Sequence, residues 1–191
     1  MSRRTDTRDR MLSTAAELFH TQGYHATGLN QLLSAGGAPK GSLYFHFPGG
    51  KEQLAAEALA ISGGRLHDVL RQTLETADGP GAAIETLIGH LAETLAASEF
   101  RRGCPLSTVA LDAADSEPIR RACAEGFGSW QAVFEDALTG AGIAARRAGE
   151  LATVVLAAVE GALLLAKTRH DTAPLRAVAA HLRITIEGEL R

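Results

Sequence analysis

Cysteine is scarce in this sequence: Cys104 and Cys123 are the only two, and their spacing matches no metal-binding pattern. A secretory signal is also lacking, because the N-terminus is charged and has no apolar segment. The longest apolar run, residues 151–166, is interrupted by Thr153 and Glu160 and is too short for a comfortable membrane span. These absences favour a cytoplasmic protein with reduced thiols.

Strand signals and common catalytic motifs are also missing. Few segments alternate apolar and polar residues, whereas Ala and Leu are abundant, so an all-α fold is expected. The chain is 46% hydrophobic and 21% charged, which is typical of a globular domain and excludes extensive disorder. It contains no Gly-x-Ser-x-Gly elbow, phosphate-binding loop or dinucleotide fingerprint. We therefore expect no enzyme, no metal and no cofactor.

Charge is unevenly distributed along the chain, whose net charge is −3. Residues 1–50 contain five basic and three acidic side chains, a net charge of +2, which leaves −5 for the remainder. A basic N-terminal arm on an acidic body fits a localised contact with phosphates. It also fits a solvated terminus, and charge alone does not decide between the two.

Apolar periodicity and helix breakers predict about nine helices. The first covers residues 6–22 and the second 27–35, with Thr27 as its N-cap. The third begins at Pro39, whose missing N–H costs nothing in the first turn, and ends by Phe47. The other predicted helices cover residues 51–77, 82–97, 106–114, 116–139, 144–168 and 173–189.

The first three predicted helices form a helix-turn-helix pattern, with a Gly-Gly turn between the second and third. Leu43 and Phe47, with leucines of the second helix, give these helices a shared apolar floor. The outer face of the third helix can then enter a major groove, where small and hydrogen-bonding groups approach the bases. The predicted DNA contacts are Pro39, Lys40, Gly41 and Ser42 for bases, and Tyr44, His46 and Lys51 for phosphates.

At this point the sequence TGLNQLLSAGGAPKGSLYFHFPGGKEQL, residues 27–54, resembles the DNA-binding signature of the TetR (tetracycline-repressor) family. The preceding AAELFHTQGYHATG resembles the end of that family's first helix, so the resemblance covers about residues 8–55. It implies a homodimeric repressor that binds pseudo-palindromic operator DNA, with Thr27 as a further phosphate contact, and is released by a small-molecule effector. The implied domains are a helix-turn-helix domain over 1–50 and a ligand-binding and dimerisation domain over 51–191.

Two features depart from the family pattern. Gly37-Ala38 stands where the family often has Gly-Val, and Pro48-Gly49-Gly50 adds a residue before Lys51. That insertion, together with RGCPLSTVALDAA at 102–114, resembles the LmrA-like branch, which includes regulators of drug-efflux genes. Among the aromatic residues of the third helix, Tyr44 is assigned to a phosphate by the resemblance. Phe45 is left open between the core and the DNA face.

The C-terminal part offers a candidate effector site. Phe127, Trp130 and Phe134 recur at the spacing of one helix face, which is typical of a core stripe. The resemblance to the TetR family implies that the C-terminal helices enclose an effector cavity, which gives this stripe a second use as an apolar wall. Phe100 and Cys104 are further candidate wall residues, and the effector is expected to be small and apolar or aromatic. Cys104 and Cys123 also admit a redox role, and Cys104 lies close to two arginines, although a buried small hydrophobe is the preferred interpretation of each cysteine.

The last two helices are rich in small and branched residues, and the resemblance implies that they meet their copies in a four-helix bundle. The alternative function is a small-molecule binding or carrier module whose helix-turn-helix is vestigial. The small and branched residues of the last two helices include Leu151, Val155, Ala158, Val159, Ala162, Leu182 and Ile186.

Overall fold

The computed structural model describes residues 2–39 and 41–191, and these form nine α-helices without a β-strand, which confirms the all-α prediction. Most helix bounds lie within three residues of those predicted, because glycine and proline mark the ends. The helices are α1 (Ser2–Gln22), α2 (Leu29–Ala35), α3 (Ser42–His46), α4 (Gly50–Thr76), α5 (Pro80–Ala97), α6 (Pro105–Asp112), α7 (Glu117–Gly140), α8 (Ala145–Arg169) and α9 (Ala173–Glu189).

Helix α2 does not have the N-cap that was predicted for it. Its N-cap is Gly28, which makes no side-chain capping bond. The buried hydroxyl of Thr27 instead donates to the carbonyl oxygen of Gly23 at 2.7 Å, toward the end of α1. The prediction was wrong because a threonine hydroxyl can bond backward as well as forward. Thr27 therefore closes the α1–α2 turn.

Helix α3 also begins later than predicted. Its first residue is Ser42, and Pro39 lies in the turn before it. The carbonyl oxygen of Pro39 accepts from the backbone N–H of Ser42 at 2.9 Å and from its hydroxyl at 2.7 Å. This turn leaves α3 only five residues long, so its position depends on packing rather than on its own hydrogen bonds.

Cα packing divides the chain into two compact units. The first contains the chain up to Gly64 together with Cys104–Gly126, and the second contains Arg65–Gly103 and Phe127–Arg191. In the first unit, α1 packs against both α2 and α6. Its core is built from side chains that are almost wholly inaccessible: Met11, Leu12, Phe19, Leu32, Leu43, Phe47, Leu54, Leu106 and Ile119.

The second unit is organised around α9, which packs against both α5 and α8. Helix α8 spans 25 residues, and by length and composition it is the one helix in the described part of the chain that would reach across a membrane. Eight of its residues are buried in the chain's own core, as expected for the central helix of a folded domain. Ion pairs fasten α9 to its neighbours, Arg183 to Glu85 of α5 and Arg147 of α8 to Glu189.

The small and branched residues that the sequence places on the last two helices mostly pack inside the second unit. Leu151, Val155 and Val159 of α8 are buried, as are Leu182 and Ile186 of α9. These side chains therefore do not form the exposed surface of the two helices, because α8 is apolar around most of its circumference and its own neighbours cover this stripe. A different apolar set is exposed on these two helices, namely Val154, Leu164, Leu165 and Ile184.

Candidate nucleic-acid interface

Helix α3 has an anchored face and an outer face. Leu43 and Phe47 are completely buried and lie four residues apart on the same side. Phe45 is half a turn from Leu43 and is 58% exposed, and Tyr44 is 64% exposed. Phe45, which the sequence left open between the core and the DNA face, therefore lies on the outer face of α3. Its ring stands edge-on to that of His46, with centroids 5.0 Å apart.

The ring of Tyr44 lies close to Gly50, in the glycine insertion at the beginning of α4. Gly50 has φ +67, a left-handed conformation that favours glycine. A Cβ atom on Gly50 would lie only 3.2 Å from Cε1 of Tyr44. The neighbouring Gly49 donates its N–H to Oε1 of Gln53 at 2.8 Å, which satisfies one donor at the start of α4. The insertion thus lets the Tyr44 ring lie against the beginning of α4.

Lys51 extends back to the α1–α2 turn. Its Nζ donates to the carbonyl oxygen of Tyr24 at 2.6 Å and lies 4.1 Å from the centroid of the Tyr24 ring, within cation–π distance. Burial lowers the pKa of the Lys51 ammonium, and the carboxylate of Asp112 opposes that shift. Burial also raises the pKa of the Tyr24 hydroxyl, with a further contribution from Glu52. The Lys51 ammonium is therefore held by the turn rather than extended into solvent.

The other predicted DNA-contacting residues differ in accessibility. Pro39 and Gly41 are exposed, Ser42 and His46 are half-buried, and Lys40 lies outside the described residues. Thr27 is fully buried, so its side chain does not reach the surface in this structure. The contacts predicted for these residues stay predictions, and Thr27 is the one whose side chain the structure places inside the protein.

The described basic side chains of the N-terminal arm are engaged within the protein. Arg8 forms an ion pair with Glu57 and lies 5.1 Å above the ring of Phe47. Arg10 forms an ion pair with Asp6 one turn away. These pairs reduce the positive charge that the arm can offer to phosphates, so composition alone overstates its strength as an anion-binding segment.

The predicted effector-site residues fall into separate groups. Trp130 and Phe134 are buried and Phe127 is half-buried, and the rings of Phe127 and Trp130 meet edge to face with centroids 5.4 Å apart. The ring of Phe100 instead packs near His170, at 5.2 Å. Cys104 belongs to the first unit, where its sulfur accepts from the N–H of Ser107 at the start of α6.

Two grooves within the second unit are lined by other residues. The larger, of about 350 Å³, lies between α4 and α7, and the smaller, of about 240 Å³, lies between α5 and α9. Neither lining includes a predicted effector-site residue. Across the described residues, no group of three or more His, Cys, Asp or Glu side chains is arranged to hold a metal ion.

The two cysteines are buried thiols. Burial raises the pKa of Cys123 to about 11, and its sulfur donates to the carbonyl oxygen of Leu106 at 3.7 Å. Cys104 is also buried, and its sulfur serves as the N-cap of α6. A reactive thiol needs accessibility and a lowered pKa. The surroundings of Cys123 provide neither, which favours its interpretation as a small buried hydrophobe.

Comparison with known proteins identifies the family to which the chain belongs. Residues 11–58 match the family model of bacterial regulatory proteins of the tetR family. Residues 80–181, more than half of the chain, match the model for the C-terminal domain of LmrA/YxaF-like transcriptional regulators. The helix-turn-helix region and the C-terminal helices are thus matched independently, and the second match agrees with the branch that the sequence resembles.

Individual relatives cover nearly the whole chain. The chain is 39% identical to the HTH-type transcriptional regulator YxaF of Bacillus subtilis (strain 168), and the alignment covers 97% of this chain and 98% of YxaF. The chain is 40% identical to the HTH-type regulator LmrA of the same strain, over 89% of its length and 91% of that protein's.

Solved structures show the same fold. The reduced form of NemR from E. coli has a TM-score of 0.83 at 26% identity, covering 93% of this chain and 95% of NemR. A cysteine mutant of CifR, solved with 26-bp operator DNA, has a TM-score of 0.78 at 28% identity, covering 96% of each chain. The chain therefore belongs to the TetR family of DNA-binding transcriptional regulators, in its LmrA/YxaF-like branch.

Proposed function

We propose that this chain is a cytoplasmic, ligand-responsive repressor that binds a pseudo-palindromic operator as a homodimer and is released by a small apolar or aromatic effector. The observation that carries the proposal is the division of α3 into two faces. Leu43 and Phe47 anchor the helix in the core, while Tyr44 and Phe45 remain exposed. An anchored helix with an exposed outer face is the element that enters a major groove in helix-turn-helix proteins.

On this proposal, the start of α3 and its outer face read the bases. Pro39, Gly41 and Ser42 approach base edges, with Lys40 assigned from sequence alone. Phe45 adds an apolar surface of the kind that contacts the methyl group of thymine. Tyr44, His46 and Lys51 hold flanking phosphates. Thr27 contributes by closing the α1–α2 turn.

A genomic binding selection followed by fluorescence anisotropy tests the DNA-binding function. We expect nanomolar retention of a short, inverted-repeat fragment. Replacing Lys51 by Ala should weaken all DNA sequences alike and lower the slope of log affinity against log salt by about one, because one phosphate contact is lost. Lys167→Ala is the matched control, since it removes the same charge from α8. If the wild-type protein retained no fragment but bound a small molecule tightly, the carrier alternative would replace the repressor.

The homodimer is proposed from the surface of α8 and α9. Val154, Leu164 and Ile184 are large apolar side chains that are more than half exposed on two neighbouring helices of one unit. An exposed apolar stripe along a helix pair is typical of a subunit interface, and an isologous contact with a second copy would bury it on both chains. Four helices, two from each chain, would then form the proposed bundle.

The effector site is proposed around the edge-to-face pair of Phe127 and Trp130. Phe127 is half-buried, so its ring is the accessible end of an otherwise buried aromatic cluster. Trp130 is the only tryptophan in the chain, which makes its fluorescence a direct reporter of ligand binding there. A ligand screen by thermal shift, followed by operator release with each hit, identifies the effector.

The expected result is that Phe127→Ala weakens effector binding and the associated change in Trp130 fluorescence, with the protein still folded. Phe45→Ala removes an exposed ring from α3 and serves as the control that leaves effector affinity unchanged. Equal effector affinity in the wild type and in Phe127→Ala would place the site elsewhere. Because coupling is reciprocal, saturating operator should weaken effector binding by the same factor by which effector weakens operator binding.

A further inference from the structure

One peptide group in the α1–α2 turn is held at both ends by charged side chains. The carbonyl oxygen of Tyr24 accepts from Nζ of Lys51 at 2.6 Å and also from the N–H of Thr27 at 3.3 Å. The N–H of His25, which belongs to the same peptide group, donates to Oδ2 of Asp112 at 2.6 Å. A single peptide thus lies between a carboxylate at the end of α6 and an ammonium at the beginning of α4.

The two charged contacts reinforce each other. A carboxylate at the N–H and an ammonium at the C=O polarise the peptide in the same direction, so each bond strengthens the other. Both contacts are charge-assisted, and such bonds are about twice as strong as neutral ones. Loss of the Asp112 carboxylate is therefore expected to weaken the Lys51 contact as well, through the shared peptide and through the attraction between the two charges.

The Asp112 carboxylate also lies close to Gly23. It has φ +83, and a Cβ atom on it would lie 3.0 Å from Oδ2 of Asp112. The residue at this position must therefore be glycine both for the conformation of the turn and for the approach of Asp112. The turn accommodates a side chain from α6, a helix more than 80 residues further along the chain, which agrees with the packing of α1 against α6.

We propose that Asp112 is a positioning residue for DNA binding: it fixes the Tyr24–His25 peptide, which in turn fixes where the Lys51 ammonium meets a DNA phosphate. The proposal rests on the function proposed above for Lys51 and adds a regulatory residue to that site. Asp112 is the last residue of α6. A shift of α6 would therefore move the Tyr24–His25 peptide, and with it the Lys51 ammonium.

The sign of the effect separates positioning from simple electrostatics. Removing an acidic side chain near DNA ordinarily strengthens binding, because repulsion of the phosphates falls. Positioning predicts the opposite, since Lys51 loses its fixed location and must be ordered again when DNA binds. Asp115 is the matched control, an exposed aspartate three residues after Asp112 that carries the same charge.

The test is a double-mutant cycle on operator affinity at fixed salt. Asp112→Ala is expected to weaken binding about tenfold, as for loss of one charge-assisted hydrogen bond, and Asp112→Asn, which keeps an acceptor oxygen, should weaken it less. Asp115→Ala should leave affinity unchanged or slightly higher. In a Lys51→Ala background, Asp112→Ala should change affinity by less than about twofold, because its partner is already gone.

A second measurement needs no DNA. The ammonium protons of Lys51 should be visible by NMR in the wild-type protein, since the hydrogen bond to Tyr24 slows their exchange, and they should disappear in Asp112→Ala. An equal loss of operator affinity in both backgrounds, or tighter binding by Asp112→Ala, would overturn the proposal, as would persistence of the ammonium signal. If the wild-type protein bound no operator, the repressor function would fail, and the ammonium signal would still decide whether Asp112 positions Lys51.

Discussion

At Cys123, burial decides the chemistry of the sulfur. With its pKa raised to about 11, the thiol is ionised in only about one molecule in a thousand at pH 8. In a Cys104→Ser variant, which keeps a good N-cap for α6, Cys123 should therefore not react with a disulfide reagent over an hour at pH 8. The count of free thiols by absorbance checks this.

The same variant unfolded in denaturant provides the comparison, because Cys123 should then react within seconds. Rapid modification of the folded protein would show that the site opens, and it would restore the redox interpretation. The pH dependence of stability gives a second measurement. Above pH 9 the thiol of the unfolded chain loses its proton, whereas the thiol of the folded protein keeps it. The free energy of unfolding should therefore fall as pH rises from about 9 toward 11.

Two residues show what could be predicted from the sequence at the scale of single residues and what could not. The position of Phe45 was left open in the sequence analysis, although it could be predicted from Leu43, because a residue half a turn from a buried one points outward in a helix. The direction of the Thr27 hydroxyl could not. Its choice between a donor ahead and the carbonyl of Gly23 behind depends on where α1 ends, which is set by tertiary packing.

At the scale of elements, the glycines inside long helices separate packing from propensity. Gly64 lies within α4, and a Cβ on it would meet nothing within 4 Å. Gly64→Ala should therefore raise the free energy of unfolding by about 1 kcal/mol. Gly126 in α7 differs, because a Cβ there would lie 2.5 Å from Cδ1 of the fully buried Leu106. Gly126→Ala should lower stability by about 1 kcal/mol or more.

Urea denaturation of the two variants measures the difference. Gly89→Ala, in α5, is the reference, since it also adds a methyl group to open space in a helix and should gain about as much as Gly64→Ala. A Gly126→Ala protein as stable as Gly64→Ala would mean that Leu106 moves without cost, which would contradict the close packing between α6 and α7 at this point.

Helices were predictable along most of the chain because their ends carry strong local signals, such as Pro105 and Pro174 in the first turns of α6 and α9. The faces of α8 were not. A helix that is apolar around most of its surface offers no single stripe, so periodicity could not tell the residues that pack against α9 from Val154 and Leu164, which remain exposed.

At the scale of the whole molecule, the proposed assembly predicts how stability depends on concentration. If folding and dimerisation are coupled, Tm should rise with protein concentration and the sedimentation mass should be that of two chains at micromolar concentration. Ile184, 71% exposed on α9, is central to the proposed interface. Ile184→Asp should give a monomer with a lower Tm that no longer depends on concentration, because a buried unpaired charge is costly.

Leu111 is the control for this experiment. It is 81% exposed on α6, outside the proposed interface, so Leu111→Asp should leave the protein a dimer. A wild-type protein that sediments as a monomer at micromolar concentration would reject the assembly, and with it the pairing of two α3 helices on one operator.

The two faces of α3 also bear on how such a regulator acquires a new target. Leu43 and Phe47 anchor the helix in the core, whereas Gly41 and Phe45 are exposed and do not contribute to that packing. If the outer face reads DNA as proposed, mutations at the outer positions would alter the preferred DNA sequence while the protein keeps its stability. In the proposed homodimer one gene specifies both chains, so a single nucleotide change would alter both half-sites at once. After gene duplication, divergence of the operator would thus need few mutational steps and would pass through folded intermediates.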